Sequence, residues 1–176
     1  MNPGPALAPD FRAIDARGRQ FQLSELLGWP VLLKFYRGYW CPYCVAEVEE
    51  LNKYAADFDA LGVKLIAVSS DRVDELNVFE KKHTGAIRLL ADPDLVVHRR
   101  YNVSHRNFVP KRGPFREIAI PTTFLIDANG RVLLLERTTD FRVRPQAQII
   151  LAKTRALLVG TMVENSSSES CDECAA

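Results

Sequence analysis

The chain has no apolar run long enough to cross a membrane, so a transmembrane helix is not expected. It also lacks an excess of charge of either sign. Its 23 Lys and Arg stand against 22 Asp and Glu, which leaves no bulk field drawing it to nucleic acid or to a membrane surface. Its first ten residues, Met1 to Asp10, carry no cationic segment and no continuous apolar stretch. No secretory signal is expected there, and a cytoplasmic setting is the expectation. Cysteine is confined to four residues, Cys41, Cys44, Cys171 and Cys174. What remains is ample for one core: 176 residues, 47% of them hydrophobic, fit a single domain.

The strongest local signal is Phe35-Tyr36-Arg37-Gly38-Tyr39-Trp40-Cys41-Pro42-Tyr43-Cys44, a C-x-x-C between an apolar run and a helical pattern. Val31 to Tyr36 reads as a buried strand. After the motif, Val45, Val48, Leu51, Ala55, Phe58 and Leu61 recur every three or four residues, while Glu47, Glu49, Glu50, Lys53 and Asp57 take the other face. That spacing predicts one helix of roughly four turns. Pro42 suits its first turn. Both cysteines then sit at a helix N-terminus, where unpaired N–H groups and the positive dipole end favour thiolate, the form that attacks disulfides and peroxides. Four readings compete for the pair: inert buried thiols, half of a zinc site, a static disulfide, or a redox-active dithiol. A zinc site needs two more ligands, and the other cysteines lie in a distant tail, so no metal is expected. No cofactor is expected either.

Elsewhere, residues 11–15 and 20–23 alternate around Arg17-Gly18-Arg19 as a hairpin would. Ser24 to Gly28 reads as one helical turn capped by Ser24. Val63 to Ser69 is the next strand, and Asp71 to His83 a helix with Ser70 and Asp71 as possible caps. Ile87 to Ala91 reads as a strand and Asp94 to Tyr101 as a short helix. Strand and helix alternate, which points to a parallel sheet with crossovers. His98 is expected to be a solvated or core-edge side chain, and neither it nor His83 nor His105 is given a role. Residues 102–119 show no periodicity and carry His105, Arg106, Lys111, Arg112 and Arg116 with Phe108 and Phe115 interleaved. They read as a long loop, either merely solvated or a basic lip selecting anionic partners. Ile120 to Asp127 is a strand opening on Pro121, joined by Asn129-Gly130 to a return strand at Arg131 to Glu136. A last helix is expected from about Pro145 to Leu158. The domain is placed at residues 1–160, and residues 161–176 are expected to be a disordered Ser/Glu-rich tail. Its Cys171-Asp172-Glu173-Cys174 could be untuned thiols, a mobile second dithiol or a metal trap.

The order of these elements, with Trp-Cys-x-x-Cys after the second strand set and Pro-Thr-Thr-Phe-Leu-Ile-Asp late in the chain, resembles the thioredoxin superfamily. More narrowly, Ala8-Pro9-Asp10-Phe11, the Gly18 turn and Leu23-Ser24-Glu25-Leu26 resemble the peroxiredoxin-like AhpC/TSA family, over roughly residues 6 to 158. The resemblance implies an α/β thioredoxin-like fold: a mixed central sheet flanked by helices, with an N-terminal β-hairpin. It also implies that Ile120-Pro121 is a cis-proline pair facing the cysteines, with the Ile120 backbone free to pair with a substrate chain.

Peroxiredoxins carry Pro-x-x-x-Thr-x-x-Cys. Aligned on residues 37–44, that pattern puts Arg37 at the proline, Cys41 at the threonine and Cys44 at the peroxidatic cysteine. Pro121 stands where the family has an arginine. That threonine and arginine stabilise the displaced peroxide oxygen, so their absence favours the thioredoxin-like branch. The expected activity is therefore thiol-disulfide exchange by an exposed Cys41 with Cys44 resolving, and Trp40, Pro42, Tyr43, Ile120 and Pro121 around the substrate. A thiol peroxidase acting through Cys44, with Arg37 or a basic residue of the 102–119 loop replacing the arginine, is the alternative. A non-catalytic redox sensor is the third. Expected partners are protein or small-molecule disulfides, or peroxides, with an external thiol donor such as thioredoxin or glutathione. Nucleic acid and membrane are not expected partners, and the chain is expected to be a monomer or homodimer.

Overall fold

The computed structural model describes residues 6–83, 85–108, 116–137 and 145–168. Strands β1 (Arg12–Asp15) and β2 (Gln20–Gln22) form the expected N-terminal hairpin. A 3-10 turn at Leu23–Leu26 follows, capped at Gln22 rather than Ser24. The Ser24 main-chain N–H instead donates to Asp10 Oδ1 at 2.9 Å, tying the turn to the chain entering β1. Next come β3 (Val31–Tyr36), α1 (Pro42–Lys53), α2 (Ala55–Ala60), β4 (Lys64–Ser69), α3 (Val73–Lys82), β5 (Arg88–Ala91) and α4 (Val96–Arg100). The chain closes with β6 (Ser104–Phe108), β7 (Arg116–Ala119), β8 (Thr122–Ile126), β9 (Val132–Arg137) and α5 (Ala147–Ser168).

Seven strands make one mixed sheet in the order β2-β1-β5-β4-β3-β8-β9. Strands β3, β4 and β5 run parallel, and β1, β8 and β9 join antiparallel. β3 lies inside the sheet and all six of its residues are buried. Because successive side chains point to opposite faces, it feeds two cores. Leu32 and Tyr36 pack with Cys41, Cys44, Val48, Leu51, Phe58, Leu76, Phe79, Ile150 and Leu158 on the face of α1, α3 and α5. Val31, Leu33 and Phe35 pack with Phe11, Phe21, Leu90, Val97, Tyr101 and Phe124 on the other. Outside β9, main-chain bonds from Ala8 N–H to Gly130 O (2.8 Å) and from Val132 N–H to Ala6 O (2.9 Å) dock residues 6–8 against the start of that strand.

Several expectations are corrected. The single long helix after the cysteines is two, broken at Tyr54, whose φ of −101° and ψ of 11° leave the helical region. Residues 102–119 are not all loop: β6 and β7 pair antiparallel, with Ser104 opposite Ala119 and His105 opposite Ile118. The side chains of Lys111, Arg112 and Phe115, on which the basic-lip reading drew, lie outside the described residues. α5 runs to Ser168, past the expected end at Leu158. A helix already nucleated on a packed face extends at little cost per residue. Cys171 and Cys174 also lie outside the described residues. His98 is neither solvated nor at a core edge: it is fully buried, its ring against Phe35 with centroids 5.0 Å apart.

Candidate active site

Cys41 is the N-cap of α1, with Pro42 at the first helical position and no acidic residue in the first turn. A negative charge there meets the positive end of the helix dipole. Cys44 lies one turn in, its N–H donating to Cys41 O at 2.9 Å. The two sulfurs are 2.9 Å apart and no disulfide joins them. This proximity follows directly from the spacing: a helix brings position N3 back over the N-cap.

Cys41 is not the exposed residue expected. It is 4% exposed and Cys44 fully buried, because both belong to the core under α1 with Tyr36 and Val48. Tyr39, Trp40 and Tyr43, in contrast, are about half exposed beside them. They give the site an aromatic surface.

Ile120 and Pro121 are brought to the same end of the sheet. Phe35 is paired with Thr122, which sets Pro121 level with the end of β3 from which the cysteine turn departs. Their expected geometry is overturned, however. No cis peptide bond occurs among the described residues, Ile120–Pro121 included. Both main-chain groups of Ile120 are engaged within the protein: its N–H donates to Val103 O at 2.7 Å, and its C=O accepts from Thr122 Oγ1 at 3.0 Å. The strand β6–β7 extension, absent from the sequence reading, supplies that Val103 connection.

Two polar features next to the cysteines escaped sequence reasoning. Glu47, expected on the solvent face of the helix, is buried and accepts a 2.5 Å ion-pair bond from Lys34 Nζ, which also donates to Thr123 Oγ1 at 3.1 Å. The signal was present. Glu47 is three residues beyond Cys44 and next to Val48 on the buried stripe, and Lys34 alternates with Leu32 and Tyr36 toward the same face.

The second feature is Asp71, expected to cap α3. Arg72 holds the N-cap position instead, its N–H bonded to Glu75 Oε2 at 2.8 Å. Asp71 turns toward the cysteine turn. Its Oδ2 accepts from Tyr39 N–H at 3.0 Å and from Ser69 Oγ at 2.8 Å. Burial pushes its carboxyl up to about 6, the Ser69 and Tyr39 donors partly offset this, and the charges of Glu75 and Cys44 reinforce it. Burial likewise disfavours ionisation of the nearby Tyr36 hydroxyl and pushes its pKa up.

Arg37, half-buried, donates from Nε to Ala119 O at 3.4 Å, which links the cysteine turn to β7. An apolar hollow lined by Leu7, Leu26, Leu27, Trp29 and Val31 lies at the opposite end of β3 and brings no cysteine or histidine to it. Among the described residues no group of three or more His, Cys, Asp or Glu is placed to hold a metal. No described helix is long and apolar enough to cross a membrane.

The chain is similar to proteins of known activity. Peroxiredoxin Bcp of Escherichia coli (strain K12) is 31% identical over 137 residues, which cover 75% of this chain and 85% of that protein. Thiol-disulfide oxidoreductase ResA of Bacillus thuringiensis is 28% identical over 127 residues, 72% of this chain. The match spans 65% of that relative's length. Among solved structures, the peroxidoxin BcpB of Mycobacterium tuberculosis superposes with a TM-score of 0.74 at 26% identity, covering 86% of this chain and 96% of that one. The fold is thus the thioredoxin-like one of peroxiredoxins. The model of the AhpC/TSA family matches residues 6–134, most of the chain, and the chain belongs to that family.

Proposed function

We propose that the chain is a thiol-disulfide oxidoreductase in which Cys41 and Cys44 cycle between dithiol and disulfide. The observation that carries this reading is the sulfur pair itself, 2.9 Å apart at the acid-free N-terminus of α1. Cys41 thiolate attacks one sulfur of a substrate disulfide; the Cys41–substrate bond forms and the other substrate sulfur leaves as thiolate. Cys44 then attacks Cys41 sulfur, its proton passing to solvent, and expels the second substrate thiolate. Two electrons have reached the substrate, and an external thiol donor restores the dithiol. Trp40, Pro42 and Tyr43 form the rim against which the substrate lies, with Ile120 and Pro121 as the wall across from it.

A second reading, peroxide reduction at Cys44, draws support from Arg37. It lies at the cysteine turn and reaches Ala119, two residues before the position where the family arginine would stand. Stopped-flow Trp40 fluorescence of the reduced protein separates the two. Rapid oxidation by a small disulfide, with hydrogen peroxide reacting no faster than an ordinary thiol, is the expected result. The reverse order overturns it. Cys44→Ser should in addition accumulate a mixed disulfide on Cys41, visible by mass spectrometry.

A further inference from the structure

The turn that delivers Cys41 is held from below by the two residues that follow β4. Ser70 Oγ donates to Arg37 O at 2.6 Å, and Asp71 Oδ2 accepts from Tyr39 N–H at 3.0 Å. Between these anchors stands Gly38, at φ +146°. A Cβ added there would lie 2.4 Å from Asp71 Oδ1 and 2.7 Å from Trp40 Nε1. The carboxyl therefore lies directly against the main chain three residues before Cys41, with the Trp40 indole beside it.

Asp71 is itself only 2% exposed. Its hydrogen-bond donors, Ser69 Oγ and the Tyr39 N–H, are neutral. The titratable groups that act on it come from three directions: Tyr36 from β3, Cys44 from α1 and Glu75 from α3. None of these is a cation. Neither step of the disulfide exchange uses this carboxyl, yet it is buried at the site. Burial of an acid without a countercharge is costly, and such groups concentrate where they serve chemistry.

We propose that Asp71 is the positioning residue of the Cys41–Cys44 pair: it clamps the turn that carries Cys41 and ties the charge on the two sulfurs to its own protonation. This rests on the reading of the pair as redox-active. The coupling has a definite sign. Reduced, the pair carries a thiolate whose negative charge makes Asp71 hold its proton more tightly. When two electrons leave and the Cys41–Cys44 disulfide forms, the remaining thiol gives up its proton and the negative charge disappears. Asp71 then binds its own proton less tightly and releases a fraction of it. Conversely, once Asp71 is ionised it opposes thiolate formation, so thiol reactivity climbs less steeply with pH than the helix end alone would make it.

Two measurements test this without substrate turnover. In the first, the rate of iodoacetamide alkylation at Cys41 and Cys44 is followed from pH 4.5 to 9 in the native protein, Asp71→Asn and Asp71→Ala. The native profile should show an inflection near pH 6 besides that of the thiol. Asp71→Asn, which keeps an acceptor for Tyr39 N–H, should lose that inflection and react about threefold faster at pH 7, since removing a nearby anion favours thiolate. Asp71→Ala should lose the inflection and also shift the Trp40 emission as the turn loosens. Superimposable profiles for native and Asp71→Asn protein overturn the proposal.

The second measurement uses only the native chain, so it stands even if a variant fails to fold. Carboxyl 13C NMR titration of Asp71 is run on the reduced protein and on the diamide-oxidised disulfide. The midpoint should fall by at least about half a pH unit on oxidation, and equal midpoints overturn the proposal. If neither cysteine alkylates faster than an ordinary thiol in any variant, it is the redox reading of the pair that fails. A reactive pair indifferent to Asp71 refutes the present inference alone.

Discussion

Asp71 and Asp92 occupy similar places on the two sides of the sheet. Each follows the C-terminal end of a parallel strand, β4 or β5, and each is buried. Their environments drive them in opposite directions. Asp71 has the Ser69 hydroxyl and one main-chain N–H, and burial pushes it up to about 6. Asp92 is also pushed up by burial, but the side chain and N–H of His98 and the N–H of Val97 outweigh this and hold it below the usual carboxylate range. Its Oδ2 accepts from His98 Nδ1 at 2.7 Å and His98 N–H at 2.9 Å, and its Oδ1 from Val96 N–H at 2.9 Å. On the Asp92 side, three donors meet the carboxylate and stabilise the first turn of α4, while the far ring nitrogen of His98, Nε2, finds no hydrogen-bond partner among the described residues. On the Asp71 side two neutral donors offset the burial only in part, next to the sulfurs. The same burial thus prevails at one acid and is overcome at the other by the number and charge of the donors that meet the carboxylate.

That contrast is open to attack in four ways. The largest effect should come from Asp92→Ala, which strips the acceptor from the two buried donors of His98 and the part-buried Val96 N–H and should cost about 3 kcal/mol or more in urea unfolding. The alkylation profile of the cysteines should stay as in the native protein. Should the cysteines change instead, the two sides are not separate.

Next in size is the pH dependence. Asp71 binds its proton more tightly folded than unfolded, so its contribution is full below about pH 3.8 and is lost as pH rises toward 6. Asp92 has the opposite sign: its contribution is present above its ordinary value and is lost as pH falls through the folded one. Asp71→Asn should therefore gain up to about 3 kcal/mol on the native protein at pH 7 and almost nothing near pH 4. Chemical denaturation at both pH values measures the difference.

Gly38→Ala should cost about 1–3 kcal/mol, since it forces a Cβ into Asp71 and Trp40 at a positive φ. It should also change the cysteine alkylation rate, which a substitution of similar cost on the Asp92 side would not. Smallest of all, Trp40→Ala should alter stability by less than about 0.5 kcal/mol, being half exposed. Its effect should appear as a raised KM for disulfides with little change in kcat.

Much of this architecture was legible in the residues. Val31 to Tyr36 and the Asn129-Gly130 turn announce themselves through apolar runs and turn chemistry, and Cys41-x-x-Cys44 through its place between strand and helix. β6 and β7 were not legible, because Ser104, His105, Arg106 and Asn107 offer no apolar alternation. Their pairing is made by main-chain bonds that sequence does not record. Asp71 read as a helix cap because an acid before a helix usually is one; only the fold reveals that the cysteine turn passes within reach. Glu47 was misplaced because a glutamate on an amphipathic helix belongs by default to water, and its lysine partner lies 13 positions away on the preceding strand β3.

The docking of residues 6–8 beside Gly130 and Val132 has one more consequence. β9 is an outer strand of the sheet, and an uncovered outer strand is a template for another chain to lengthen. The short N-terminal segment occupies that position at one end, using the Val132 N–H and the Gly130 carbonyl that an incoming strand would need first. Removing residues 1–8 should leave the cysteine pair untouched while letting copies of the protein stitch together edge to edge, which light scattering would register as concentration-dependent growth.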